Sequence, residues 1–118
     1  MKEENVVREK SYQFAIRIVK LYRHLLEEHK EYVLSKQVLR SGTSIGANVE
    51  EAIGGLSRAD FKSRMGIAYK EARETEYWIR LLRDTGYLST PESESILADI
   101  VELLKILGSI CRTSKSNS

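Results

Sequence analysis

The sequence predicts an all-α protein, an antiparallel up-down-up-down four-helix bundle, and three observations carry that expectation. Apolar residues recur at three- and four-residue spacing through almost the whole chain. Only one proline, Pro91, occurs in the 118 residues, so long helices run without a forced break. Charged residues make up 31% of the chain and hydrophobic ones 42%, the balance of a helix-rich globular protein. At this length one domain, residues 1–118, is expected.

The first helix is expected over about residues 5–29. Val7, Phe14, Ile18, Leu21 and Leu25 fall in one narrow sector, and Ala15, Val19, Tyr22 and Leu26 widen it. A short polar link from His29 to Tyr32 leads to a second helix over about 34–54, with Val38, Ile45, Val49, Ala52 and Leu56 on one side. Gly54 and Gly55 followed by Leu56 match a left-handed glycine C-cap with an apolar residue just beyond it. Ser57 and Asp60 form a capping-box pattern, Asp standing in for Glu, that opens a third helix over about 58–85. Phe61, Met65, Ala68, Ala72, Thr75, Ile79 and Leu82 follow at heptad spacing. Gly86 ends that helix, with Tyr87 and Leu88 placed to fold back on it. Thr90 reads as the N-cap and Pro91 as the first residue of a fourth helix, about 91–112, where Glu92 and Glu94 suit the positive end of the helix dipole. Its inner face carries Ile96, Ile100, Leu103, Leu107 and Ile110, and the tail 113–118 is expected to fray.

Several function classes are disfavoured at once. No stretch approaches the roughly 18 apolar residues of a membrane span, and the opening MKEENVVREK has no apolar signal-peptide core. A cytoplasmic protein with no membrane partner is expected. Cys111 is the only cysteine, which excludes an intrachain disulfide or a cysteine-cluster zinc site, and its neighbours Leu107 and Ile110 suggest a buried, inert thiol. A di-iron bundle needs two Glu-x-x-His pairs, whereas neither His24 nor His29 follows a glutamate by three residues. No serine adjoins a histidine. The residues therefore point to no enzyme, no metal and no cofactor.

The stretch SGTSIGANVEEAIGG, residues 41–55, holds four glycines but lacks the preceding strand and the G-K-[ST] ending of a phosphate loop. Gly42 and Gly46 are four apart, the small-xxx-small spacing that lets a neighbouring backbone approach closely. Each costs the helix about 0.8–1 kcal/mol relative to alanine, so tertiary contact has to compensate. Beside them Arg40, Ser44, Asn48 and Glu51 form a polar stripe along one flank of the second helix. On the third helix Glu71 and Glu74 share a side with Ile67 and Trp78, an awkward place for unpaired carboxylates. Arg40 is expected to meet Glu71 or Glu74, with Asn48 satisfying the leftover donors and acceptors. Such a network either fixes helix register or forms a ligand or catalytic pocket; polar groups in bundle interfaces commonly set register and partner choice, which favours the first reading.

Ile67, Trp78 and Leu81 lie roughly 100 to 160° from the centre of the third helix's core line, and Val101 widens the apolar surface of the fourth. Apolar surface rimmed by charge marks an interface, so a homo-oligomer is expected; a thicker core with a tucked-in N-terminal arm is the alternative. The net charge is +2 and the pI about 8.7, short of the excess of an obligate nucleic-acid binder. Lys62, Arg64, Lys70, Arg73, Arg80 and Arg83, with Arg112 and Lys115 near the end, still leave a local basic face beside Tyr69, Tyr77 and Trp78. That face either contacts nucleic acid, with the rings stacking on bases, or is simply solvated.

The segments RSGTSIGANVEEAIGG and SRADFKSRMGIAYKEARETEYWIRLLRDTGYL resemble a bacterial family of small four-helix-bundle proteins whose first-described members are encoded in intervening sequences within 23S ribosomal RNA genes. The resemblance spans about Tyr12 to Cys111. Its most specific part falls on Arg40, Ser44, Ile45, Asn48 and Glu51, and its third-helix part on Phe61, Ala68, Glu71, Glu74 and Gly86-Tyr87-Leu88. It implies a ring-like homopentamer. Accessory proteins of diversity-generating retroelements are similar and bind nucleic acid and a reverse transcriptase, which implies RNA or DNA and a protein encoded nearby as partners. The expected function is thus a non-catalytic oligomeric scaffold or adaptor. The alternatives are a purely protein-binding module, and a small-molecule or catalytic bundle using Arg40, Asn48 and Glu71.

Overall fold

The structure, a computed structural model, describes residues 2–116, with side chains through residue 113. Four helices follow one another: α1 (Lys2–His29), α2 (Leu34–Ile53), α3 (Arg58–Asp84) and α4 (Thr90–Ser116). Each packs on the next, and α4 returns to α1, so the helices stand at the corners of a square with, among the described residues, no close backbone approach across a diagonal. Cross-helix contacts run in opposite directions along three edges: Arg8 meets Glu50 and Ile18 meets Gly42, Arg40 meets Glu71 and Glu51 meets Arg64, and Lys10 meets Glu102 while Arg17 meets Asp99. The result is an antiparallel four-helix bundle of 46 × 21 × 19 Å.

The core is built from the residues the periodicity selects. Val7, Phe14, Ile18, Leu21 and Leu25 of α1 meet Val38, Ile45, Val49 and Ala52 of α2, and Met65, Ala68, Ala72, Ile79 and Leu82 of α3 meet Ile96, Ile100, Leu103, Leu107 and Ile110 of α4. Phe61 is only half-buried at the edge. Leu56 departs entirely: its side chain is fully exposed, because α2 stops at Ile53 and the chain turns outward before Leu56 can complete another core turn.

The helix ends depart from expectation in instructive ways. At its start α1 reaches back to Lys2, since Glu3 and Glu4 suit its first turn. Gly54 is not left-handed, with φ −83° and ψ 0°. Gly55 is instead crowded: a Cβ there would lie 2.3 Å from Asp60 Oδ2, which would have to turn aside, and 3.2 Å from the Ala52 carbonyl oxygen. Ser57 caps α3 as expected, accepting from the Asp60 N–H at 3.0 Å. The left-handed glycine is Gly86, φ 88°, where Gly86 N donates to Arg83 O and Tyr87 N to Leu82 O, the paired bonds of a Schellman turn. One residue before Thr90, Ser89 caps α4: its Oγ accepts from Glu92 N at 3.2 Å while Glu92 Oε1 accepts from Ser89 N at 3.4 Å and from Ser89 Oγ at 2.8 Å, a reciprocal capping box. The fourth helix also runs on to Ser116 rather than fraying from residue 113, as no glycine or proline stops it; Asn117 and Ser118 lie outside the described residues.

Glu31 escaped the sequence reading. It sits in the link after Lys30, whose φ of 52° turns the chain, and it is buried. Its carboxylate accepts from the N–H groups of Val33, Leu34 and Ser35 at 2.9, 2.8 and 2.7 Å. Val33, the N-cap residue, makes no side-chain cap bond, so Glu31 caps α2 in its place. Burial pushes the Glu31 pKa up, but the N–H groups of Leu34, Ser35 and Val33 outweigh it and hold the carboxyl below its ordinary 4.5.

A Cβ on Gly42 would lie 2.7 Å from Ile18 Cγ1, and one on Gly46 would lie 3.2 Å from the Ser11 carbonyl oxygen. Gly42→Leu and Gly46→Leu are each expected to cost about 3 kcal/mol or to prevent folding; an unchanged melting temperature overturns this. Glu31→Gln should cost about 1–2 kcal/mol at pH 7. A folded-state pKa below the unfolded one gives stability that is present above pH 4.5 and lost as pH falls through the lowered value. Urea melts across that range should therefore show the wild-type advantage shrinking.

Candidate functional site

The antiparallel register of α2 and α3 sets Arg40 opposite Glu71 and Glu74. Arg40 NH1 donates to Glu71 Oε2 at 3.2 Å, and NH2 donates to Glu74 Oε2. The same Glu74 oxygen accepts from Trp78 Nε1 at 2.9 Å, so one carboxylate ties the guanidinium to the indole. Among the ion pairs of the described residues Glu71 has the least exposed side chain, 19%, against 50% for Arg40, so it depends most on its partner. Behind this cluster the buried hydroxyls of Ser41 and Thr75 hydrogen-bond to each other at 2.9 Å.

The rest of the stripe does not bond in series through its side chains. Ser44 Oγ donates to the Arg40 carbonyl, and Asn48 Nδ2 to the Ser44 carbonyl at 2.9 Å. Two turns from the Arg40 cluster, Asn48 Oδ1 accepts from Arg64 at 3.5 Å, while Arg64 pairs with Glu51 at 3.1 Å. Asn48 thus serves a second clasp rather than the leftover groups of the first. Arg64, grouped by its sequence neighbours with the basic face, belongs to this seam because it lies on the α2 side of α3.

The apolar surface is divided as well. Ile67, four residues before Glu71, and Trp78 and Leu81, four and seven after Glu74, share the α2 side of α3; Ile67 is exposed and the other two are half-buried. Val101 lies elsewhere: seven residues before Gly108 on α4, it faces the flank where Tyr69 lies near that glycine. The four do not form one patch.

On the outward side of α3, turned away from the core, a different line runs down the helix. Lys62, Gly66, Lys70, Arg73, Tyr77 and Arg80 are spaced four, four, three, four and three, one continuous helical stripe. Lys62 is half-buried; Lys70, Arg73, Tyr77 and Arg80 are exposed. Among the described residues these four cations form no ion pair, and Arg58 extends the line. Arg83 leaves it, held by Asp84 through bonds of 2.7 and 3.2 Å. Arg112 is exposed on α4, with NH1 over Gly108; the side chain of Lys115 lies outside the described residues.

Other features offer little chemistry. His24 and His29 meet edge to face at 5.3 Å, and His29 meets Tyr87 at 5.6 Å. Among the described residues no group of three or more His, Cys, Asp or Glu could hold a metal ion, and no helix is long and apolar enough to cross a membrane. Cys111 is half-buried, and burial pushes its thiol pKa above the ordinary 9.0 while Arg112 opposes the shift, unlike a reactive thiolate. A cleft of about 310 Å³ between α1 and α4 is lined by Glu9, Lys10, Gln13, Phe14, Asp99, Glu102 and Leu103, but Lys10 and Arg17 already pair with Glu102 and Asp99.

Arg40→Ala would strand a largely covered Glu71 carboxylate and is expected to cost about 1–3 kcal/mol in a urea melt, whereas Arg64→Ala, at a more exposed pair, should cost under about 1 kcal/mol. Equal costs would remove the distinction between the two clasps.

A family described as 23S rRNA-intervening sequence protein matches residues 3–109. A crystal structure from Bacteroides thetaiotaomicron VPI-5482, of a protein with unknown function from the S23 ribosomal protein family, is 55% identical to this chain. The similarity covers 93% of this chain and 98% of that one, with a TM-score of 0.91. No curated protein matches. With a family match over nearly its whole length and a close structural neighbour of the same helical architecture, the chain belongs to the family of 23S rRNA-intervening sequence proteins.

Proposed function

We propose that the protein is a non-catalytic, self-associating scaffold or adaptor that offers the outer face of α3 to nucleic acid. The observation that carries this is the line of cations from Lys62 to Arg80. They are free of ion pairs among the described residues, whereas Arg40, Arg64 and Arg83 on either side of them are paired. A phosphate backbone is the natural counterpart of such a line, because each contact releases condensed counterions. The family's name, which points to intervening sequences of 23S rRNA, and the S23 ribosomal protein family of the structural neighbour are in keeping with an RNA partner.

Self-association rests on the apolar flank of Ile67, Trp78 and Leu81, with Val101 apart from it on α4. Two separate patches suit a head-to-tail contact that closes into a ring, and the family resemblance supports five copies. A purely protein-binding role is the second reading, favoured by the fully exposed Leu56 side chain. A ligand pocket at Arg40, Asn48 and Glu71 has less support, since Asn48 is engaged with Arg64 instead.

Labelled single-stranded RNA and duplex DNA, titrated at 50 and 200 mM salt, test the nucleic-acid reading. With about five phosphate contacts, duplex affinity should fall roughly 100- to 1,000-fold between the two salts, and Lys62→Ala with Arg73→Ala should lower the salt slope by about 2. No binding at low salt removes nucleic acid as the partner and leaves the protein-binding role. A solution mass near five protomers of 13.5 kDa is expected; a single-protomer mass removes the assembly.

A further inference from the structure

Gly66 lies in the middle of α3, where nothing in the fold requires a glycine. A Cβ on Gly42, Gly46, Gly54, Gly55 or Gly108 would touch a neighbour, and Gly86 has a φ of 88°, but a Cβ on Gly66 would meet no heavy atom within 4 Å and its φ is not left-handed. An interior glycine weakens a helix relative to alanine, and the space above this one is empty within the protomer. Its position is specific: one turn after Lys62, one turn before Lys70 and in line with Arg73. These four residues fall within a sector of roughly 80° at 100° per residue.

We propose that Gly66 is the point of closest approach for the phosphodiester backbone of a nucleic acid. The proposal rests on the reading above and assigns it a position. Lys62 and Lys70 stand about 6 Å along the axis on either side of Gly66, so a phosphate settling on the bare helix backbone lies between two ammonium groups. Without a Cβ it comes nearer to both, and Coulomb attraction grows as separation shrinks. Exposed Tyr77 lies on the same face and supplies a flat surface for sugars or bases, while half-buried Tyr69 packs toward Gly108 of α4 at its edge. Charge complementarity selects this occupant over a second copy of the chain. From Arg58 to Arg80 the face carries five cations and no large aliphatic side chain, with half-buried Glu76 as the acid at its edge.

The test uses the full chain with Gly66→Ala and Gly66→Gln, which keep the charge and suit a helix, and Ala98→Gln on the exposed face of α4 as a control. Gly66→Ala should raise the melting temperature by about 4 °C, and Gly66→Gln should melt no lower than wild type. Binding to the same RNA and DNA at 50 mM salt should weaken two- to threefold for Gly66→Ala and at least tenfold for Gly66→Gln, with Ala98→Gln within twofold of wild type. Wild-type binding with undiminished Gly66→Gln affinity overturns the inference and leaves the proposed function standing. Absence of wild-type binding overturns the proposed function, and this inference with it. A changed oligomer mass in Gly66→Gln assigns the space to a second copy and overturns the inference alone.

Discussion

Where α1 meets α2, Ile18 lies against the bare backbone of Gly42 and the Ser11 carbonyl lies above Gly46, each so near that an added methyl forces a shift. Both glycines are poor helix formers, yet both are buried in a continuous helix, so the contact outweighs their intrinsic preference. A slip by one residue would turn Val38, Ile45 and Val49 away from the core. The fit therefore sets the register of α1 on α2, and through α2 the placing of everything on its other flank.

That other flank is the seam with α3. Once α2 is placed, Arg40 can reach only the turn of α3 holding Glu71 and Glu74, and Asn48 and Glu51 can reach only Arg64. The two clasps act at different points along one interface, which makes them suited to specifying pairing as much as to adding stability. They also occupy the polar groups of the α2 side of α3. Lys62, Lys70, Arg73 and Arg80 of α3 are left on its outward side with no ion pair among the described residues.

The long third helix thus serves two surfaces at once. One side presents a polar seam with the apolar Ile67, Trp78 and Leu81 beside it; the other presents cations, Tyr77 and an uncovered glycine. A modest overall charge of +2 is compatible with a strongly cationic strip, because it sums the whole chain and the acids of the seam and of the α1–α4 pairs lie away from the strip. The proposed scaffold, self-associating through one flank and meeting an anionic polymer through another, rests on this division.

Much of the fold was legible in the sequence, because burial in a bundle is read directly as periodicity: nearly every residue of the heptad-like series is in the core. The partnership of Arg40 with the Glu71 and Glu74 positions was legible too, since helical spacing placed both on facing flanks. What the sequence could not reveal was set by neighbours distant along the chain. Gly55 is crowded by Asp60 and the Ala52 carbonyl, with no left-handed φ; Leu56 is exposed because the helix ends early; Glu31 caps α2 from outside any standard capping position. Arg64 and Arg73 look alike in sequence, and only the α2–α3 register neutralises one and leaves the other facing outward. By itself the sequence determined the helices, their inner faces and the close-packed stretch, since these depend on local spacing. The tertiary structure decided which charges are paired and which glycines are crowded, since both depend on what lies across the interface.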